Sequence, residues 1–91
     1  MELKETVDLM LSKNYKERMK AEYLQTKERY ERLRHFCNKI EAYNYDNTES
    51  IIPPVHDCTF DLLREQQRVM GEYLHILEIR AIIEKIDLKG E

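Results

Sequence analysis

Helix-breaking residues are few in this chain, and the prolines occur at one place. Both prolines, Pro53 and Pro54, stand together near the middle, and the two glycines are Gly71 and Gly90. Strands and tight turns need such residues at frequent intervals, so their scarcity favours long helices on either side of the Pro-Pro pair. Because 91 residues is short for a globular domain, we predict a single helical domain over residues 1–91.

Apolar and aromatic residues recur at alternating spacings of four and three before the prolines. On a predicted first helix over residues 14–43, this heptad seam consists of Met19, Tyr23, Thr26, Tyr30, Leu33, Cys37 and Ile40. A shorter stripe predicts an N-terminal helical arm over residues 1–12, formed by Leu3, Val7, Met10 and Leu11. Helices this short are marginal in isolation, so the arm is expected to pack on the rest of the chain.

The second predicted helix, over residues 59–88, follows a loop at 44–58 and carries two apolar seams. The first seam consists of Phe60, Leu63, Gln67, Met70, Leu74, Leu77 and Ala81. The second consists of Leu62, Gln66, Val69, Tyr73, Ile76, Arg80 and Ile83. A single antiparallel partner covers about one such seam, so the other needs the arm or another protomer. The predicted fold is therefore all-α, an antiparallel two-helix hairpin with a short N-terminal helix, assembled as a homo-oligomeric helical bundle.

Charge is distributed unevenly along the chain. Residues 12–40 hold nine Lys and Arg against four Glu, whereas residues 41–91 hold five against eleven acidic residues. The basic first helix suggests a face for an anionic partner or attraction between the two helices. With a pI near 5.7, the whole chain would repel a long nucleic acid, although a small anionic ligand in a local pocket remains compatible.

One basic and aromatic pattern points to a ligand site. Lys13, Lys20, Lys27 and Arg34 recur every seven residues beside the rings of Tyr15, Tyr23 and Tyr30. In one helix, Lys20 and Lys27 flank the Tyr23 ring, and such a group can stack a base and hold a phosphate. The predicted ligand-binding residues are Tyr15, Lys20, Tyr23, Lys27 and Arg34. The alternative is that the tyrosines pack between the helices while the lysines flank them, facing Glu65, Glu72 and Glu78.

Motifs for catalysis are missing from the sequence. It contains no Gly-rich phosphate loop, no nucleophile elbow and no metalloprotease spacing of His and Glu, so a binding protein without a cofactor is predicted. His56, Asp57 and Cys58, with Cys37, are nominal zinc ligands, but their spacing fits no standard site and no metal is predicted. Both cysteines are expected to be free thiols. Without an export signal or a membrane-length apolar run, the protein is expected in the cytoplasm.

Two segments carry a resemblance to a known group of proteins. The segments "YKERMKAEYLQTKERYERL" and "LLREQQRVMGEYLHILEIR" resemble small helical-hairpin proteins of tailed phages, similar to the anti-CBASS sponge family. The resemblance covers about residues 15–86 and rests mostly on hydrophobic spacing. It implies homo-oligomers, commonly hexamers, that hold cyclic dinucleotides or trinucleotides between protomers without cleaving them. The implied ring against a base is Tyr15 or Tyr23, and the implied cation against a phosphate is Lys27 or a neighbouring cation.

Three hypotheses follow for function. The first is a phage counter-defence sponge that sequesters a cyclic oligonucleotide signal in the host cytoplasm. The second is a helical inhibitor of a host defence enzyme, anti-CRISPR-like, whose second seam docks on its target. The third is a structural assembly protein that binds no ligand. The long 44–58 loop and the N-terminal arm are departures from the sponge pattern.

Overall fold

A computed structural model of the chain describes residues 7–46 and 54–88, and these ranges contain three helices. Helix α1 is a single turn, Val7–Met10; α2 covers Tyr15–Tyr45, and α3 covers Phe60–Glu84. Helices α2 and α3 pack against each other as an antiparallel hairpin, which gives an elongated body of 50 × 24 × 23 Å. The predicted all-α two-helix hairpin is therefore confirmed. Residues 1–6 of the predicted arm and residues 47–53 of the predicted loop lie outside the described ranges.

Side-chain caps begin both long helices. The Asn14 side chain accepts a hydrogen bond from the backbone N–H of Lys16 at 3.0 Å, before the first turn of α2. Thr59 does the same for α3, accepting from the N–H of Leu62 at 3.2 Å. Each cap satisfies a backbone donor that has no partner inside the helix.

Helix α3 ends at Glu84, although the sequence pattern predicts a helix as far as residue 88. Lys85 takes a left-handed conformation with φ of 59°, and the N–H of Ile86 returns to the carbonyl of Ala81 at 2.8 Å. This cap turns the chain, so that Ile86 and Leu88 pack against the core instead of extending the helix.

The core lies where the predicted primary seams face each other. Its central cluster contains Met19 and Tyr23 of α2 with Leu74 and Leu77 of α3, and Leu77 is only 2% exposed. Nearer the loop end of α2, Cys37 and Ile40 are also buried. The heptad spacing thus identifies the buried side of both helices.

A second buried position marks where α1 packs. Ala21 is fully buried, although it is two residues from Tyr23 and therefore faces a different side of α2. Helix α1 contacts α2, and the Met10 sulfur meets the Gln25 side-chain amide one turn beyond Ala21. The N-terminal turn thus packs on α2 beside Gln25.

The second seam of α3 stays exposed in the single chain. Its apolar members are 38% to 72% exposed, and we call them the outer stripe: Leu62, Val69, Tyr73, Ile76 and Ile83. Ile79 and Ile82 are exposed beside it. Contiguous apolar surface of this kind marks an interaction site in soluble proteins.

Candidate ligand-binding groove

An open groove follows one edge of the α2–α3 interface. It joins three adjoining depressions of about 700, 210 and 630 Å³, which share Lys27 and Glu78 at one junction and Tyr30, Gly71 and His75 at the other. We refer to the groove by the six residues that shape it: Tyr23, Lys27, Tyr30, Gly71, His75 and Glu78. Helices α2 and α3 form its two walls, and the turn after α3 borders the first depression with Ile86, Asp87 and Leu88.

Tyr23 forms the floor of the groove and links the two helices. Its hydroxyl donates a hydrogen bond to Glu78 Oε2 at 2.6 Å, and the residue is only 6% exposed. Burial, this hydrogen bond and the nearby carboxylate charge raise the pKa of Tyr23 to about 12. The phenol therefore keeps its proton at neutral pH and holds the Glu78 carboxylate in place.

Lys27 places a positive charge over the same ring. Its Nζ lies 5.7 Å from the centroid of Tyr23, within the range of a cation–π interaction. The side chain is exposed and stands at the junction of the first and third depressions. An ammonium in this position can meet an anionic group that enters the groove.

Tyr30 supplies an aromatic ring that lines the groove, and Gly71 makes room for it. Tyr30 is partly exposed and borders two of the depressions. A Cβ atom added at Gly71 would lie 3.3 Å from Tyr30 Cε1, closer than an ordinary carbon–carbon contact. This glycine in the middle of α3 therefore leaves room for an aromatic side chain from α2.

Ion pairs partly neutralise the positive charge of Arg68 at the far end of the groove. Arg68 lines the second depression and donates to Glu65 and to Glu72, the latter at 2.6 Å. These two carboxylates raise the pKa of Arg68, and Arg68 in turn lowers the pKa of Glu65. The guanidinium charge at this end is therefore shared with two acids, whereas the side chain of His75 remains exposed.

The structure brings some of the predicted ligand residues together and separates one. Lys20, Lys27 and Arg34 recur along one side of α2, where Arg34 pairs with Glu31 at 2.7 Å. Tyr15 instead lies beside Glu84 and Arg80 of α3, at the opposite edge of the hairpin. Tyr73 and Glu22 form a hydrogen bond at that same edge.

Sequence reasoning did not assign Tyr30, Gly71, His75 or Glu78 to the site. Tyr30 and Glu78 were placed in the interface seam and among its flanking charges. The signal available in the sequence was the mid-helix glycine, because it permits a ring to approach the α3 backbone.

The residues just before α3 make a local contact with α2. His56 Nδ1 lies 2.6 Å from the carbonyl oxygen of Cys58, and the Phe36 ring meets the His56 ring edge-on at 6.2 Å. Cys37 is buried and Cys58 is exposed.

Across residues 7–46 and 54–88, no three potential metal-ligand side chains form a group. Among the helices described, none has the length and apolar character required to span a bilayer.

Comparison with known families now adds to this geometry. The family described as Sequestin matches residues 13–83, which is more than half of the chain. The chain belongs to the Sequestin family. The matched region includes the six residues that shape the groove and the predicted ligand residues. The family name indicates a sequestering role rather than catalysis. This agrees with the resemblance to sequestering sponge proteins. Neither the curated proteins nor the solved structures include a match.

Proposed function

We propose that this Sequestin family member is a phage counter-defence sponge acting in the host cytoplasm. It binds a cyclic dinucleotide or trinucleotide signal and keeps it from its effector without cleaving it. The observation that carries the proposal is that Lys27 and Tyr30 line one groove, in a chain whose family is named for sequestration. A cation for phosphate and a ring for a base are the two groups that nucleotide binding requires.

In this proposal the cation and the ring have different roles. Lys27 meets a phosphate, and Lys20 and Arg34 extend the same basic side of α2. The partly exposed Tyr30 ring stacks on a base, which is typically worth about 1–3 kcal/mol per base. Tyr23 is too buried to stack and instead positions Glu78 and the Lys27 side chain.

Calorimetric titration with a panel of cyclic dinucleotides and trinucleotides tests the proposal. At least one member is expected to bind and to be recovered chemically unaltered. Lys27→Ala and Tyr30→Ala should each weaken binding by about tenfold or more, whereas Lys39→Ala, an exposed cation outside the groove, should not. Absence of binding across the panel, or turnover of the ligand, would contradict the sponge.

We also propose that copies of the chain assemble as a homo-oligomer through the outer stripe. The support is that the members of this stripe are large apolar residues on one side of α3 and are exposed in the single chain. Ile83→Glu should lower the mass measured by light scattering, because a charge would enter the apolar contact. The matched control is Ala42→Glu, which adds the same charge at an exposed position of α2.

The outer stripe also favours a second candidate, a protein-binding inhibitor of a host defence enzyme. In that case the stripe would dock into an apolar groove of the target as a helix. The free protein would then be monomeric or dimeric and would bind hydrophobic dyes. A stable larger oligomer that binds no such dye would count against the inhibitor.

A further inference from the structure

We infer that two copies of the chain pair through their α3 helices in antiparallel orientation, about a two-fold axis that passes between Tyr73 and Ile76. The outer stripe of one copy is therefore covered by the outer stripe of a second copy. The inference rests on the proposed assembly through the stripe, and it does not depend on which ligand the protein binds.

The exposed apolar surface is concentrated on α3. Seven of the thirteen large apolar side chains that are exposed within residues 7–46 and 54–88 belong to this helix, and five of the seven form the outer stripe. A partner that covers this surface must therefore lie along α3 rather than across both helices. A second α3 has the length and the apolar positions to do so.

The spacing along the stripe decides the orientation of the pair. In a parallel pair each position faces its own counterpart, so Arg80 would meet Arg80 of the other copy in an apolar contact, which is unfavourable. In an antiparallel pair with Tyr73 opposite Ile76, Arg80 instead falls opposite Val69 of the other copy. Its aliphatic stem can pack on the valine while the charged end reaches past it.

Charge on the two copies is complementary in this orientation. Glu72 lies one turn from Val69, so it stands beside Arg80 of the other copy. Arg80 Nε donates to Glu84 at 2.9 Å, and an arginine has four further N–H donors. Glu72 accepts from Arg68 at 2.6 Å, and its side chain is 64% exposed. Because a two-fold contact repeats every pair, Arg80 of each copy binds Glu72 of the other, which gives two charge-assisted contacts.

Tyr73, beside the axis, is already ordered in the single chain. Its hydroxyl donates to Glu22 of α2 at 2.5 Å, and 38% of the residue is exposed. A ring held by a hydrogen bond loses little side-chain freedom when a second copy covers it, so more of the contact energy remains for association. Central aromatic residues of this kind are the typical anchors of protein interfaces.

Distances between spin labels test the orientation. A nitroxide on Asp61→Cys, in a Cys58→Ser background that leaves only the buried Cys37, marks the first turn of α3. Position 61 is about 13 residues from the axis, so the two labels should lie about 40 Å apart in the antiparallel pair. In a parallel pair they would be separated by little more than the helix spacing of about 10 Å and the label lengths. The control is the exposed His75→Cys beside the axis, which should give a short distance in either orientation and so reports pairing itself.

A charge exchange tests the contact between Arg80 and Glu72. Arg80→Glu should raise the dissociation constant of the pair by about tenfold or more in a dilution series followed by light scattering. The matched control is Arg32→Glu, because Arg32 forms the same kind of i,i+4 pair with Glu28 on α2 and should not affect association. Combining Arg80→Glu with Glu72→Arg restores opposite charges across the axis and should return the constant to within about threefold.

The outcomes separate this contact from the sponge. A label distance at position 61 below about 25 Å, or equal dissociation constants for Arg80→Glu and Arg32→Glu, overturns the antiparallel pair while the sponge stands. A chain that stays monomeric at every concentration overturns assembly through the stripe as well. If Arg80→Glu loses its helical circular dichroism, the label distances alone decide the orientation. All of these measurements are made without ligand, so a failure of cyclic nucleotides to bind would overturn the sponge alone.

Discussion

Replacing Gly71 by alanine tests the contact that shapes the groove. Alanine in the middle of a helix is favoured over glycine by about 1 kcal/mol. Against this gain stands the new Cβ, which would lie 3.3 Å from Tyr30 Cε1 and 3.5 Å from its hydroxyl oxygen. Both atoms are at the far end of a partly exposed side chain, so the ring can yield by a few tenths of an ångström.

The magnitude follows from how far the ring must turn. A displacement that small at the ring end is a rotation of only several degrees, well below the ~30° that costs about 0.5–1.5 kcal/mol. The helix gain therefore wins, and the free energy of unfolding should rise by about 0.5–1 kcal/mol. Urea titration at one fixed protein concentration measures this, because assembly would otherwise shift the midpoint.

A fall of more than about 1 kcal/mol would refute this reasoning, because the Tyr30 ring would then be unable to move. A double-mutant cycle with Tyr30→Ala isolates the contact, since the variant lacking the ring should show the full helix gain.

Three further predictions concern stability. Leu77→Ala should lower the free energy of unfolding by about 2–5 kcal/mol in a urea titration, since Leu77 is 2% exposed in the core; a loss below about 1 kcal/mol would contradict its central position. Thr59→Ala should cost about 1 kcal/mol through loss of the α3 cap, measured by the same titration, and Thr59→Ser should restore most of it. The pKa of Tyr23 is about 12 in the folded chain and about 10 in the unfolded chain. The protonated phenol therefore stabilises the fold below pH 10, and this stabilisation is lost as the pH rises towards 12. Between pH 10 and 12, the free energy of unfolding should fall by up to about 2–3 kcal/mol less in Tyr23→Phe than in the unmodified protein. An equal fall in both proteins would refute the role of the Tyr23 phenol.

The hairpin could be predicted because it depends on local periodicity. The heptad positions Met19, Tyr23, Leu74 and Leu77 are the core cluster, and Asn14 and Thr59 cap the two long helices. Helix formation, capping and the choice of a buried side each depend on residues within one or two turns. A single sequence contains that information directly.

The end of α3 and the composition of the groove depend on contacts between distant segments. Nothing near Lys85 in the sequence demands a left-handed cap; the packing of Ile86 and Leu88 on the core favours it. Tyr23 and Tyr30 occupy equivalent positions of one heptad seam, yet Tyr23 is buried whereas Tyr30 is partly exposed. The α3 residues that meet the two rings differ, Glu78 at Tyr23 and Gly71 at Tyr30, and the periodicity along α2 contains no information about them.

The position of the outer stripe relative to the groove connects assembly with binding. Ile76 belongs to the stripe and also lines the second depression, beside Arg68 and Gly71. An open groove on one hairpin contacts a ligand from one side, whereas tight small-molecule sites bury about 70–90% of the ligand surface. A second copy packed on the stripe would border the groove at Ile76 and cover more of the ligand. Under the proposed function, ligand binding and self-assembly then favour each other by mass action. A saturating cyclic nucleotide should therefore raise the mass of the oligomer in a dilute sample.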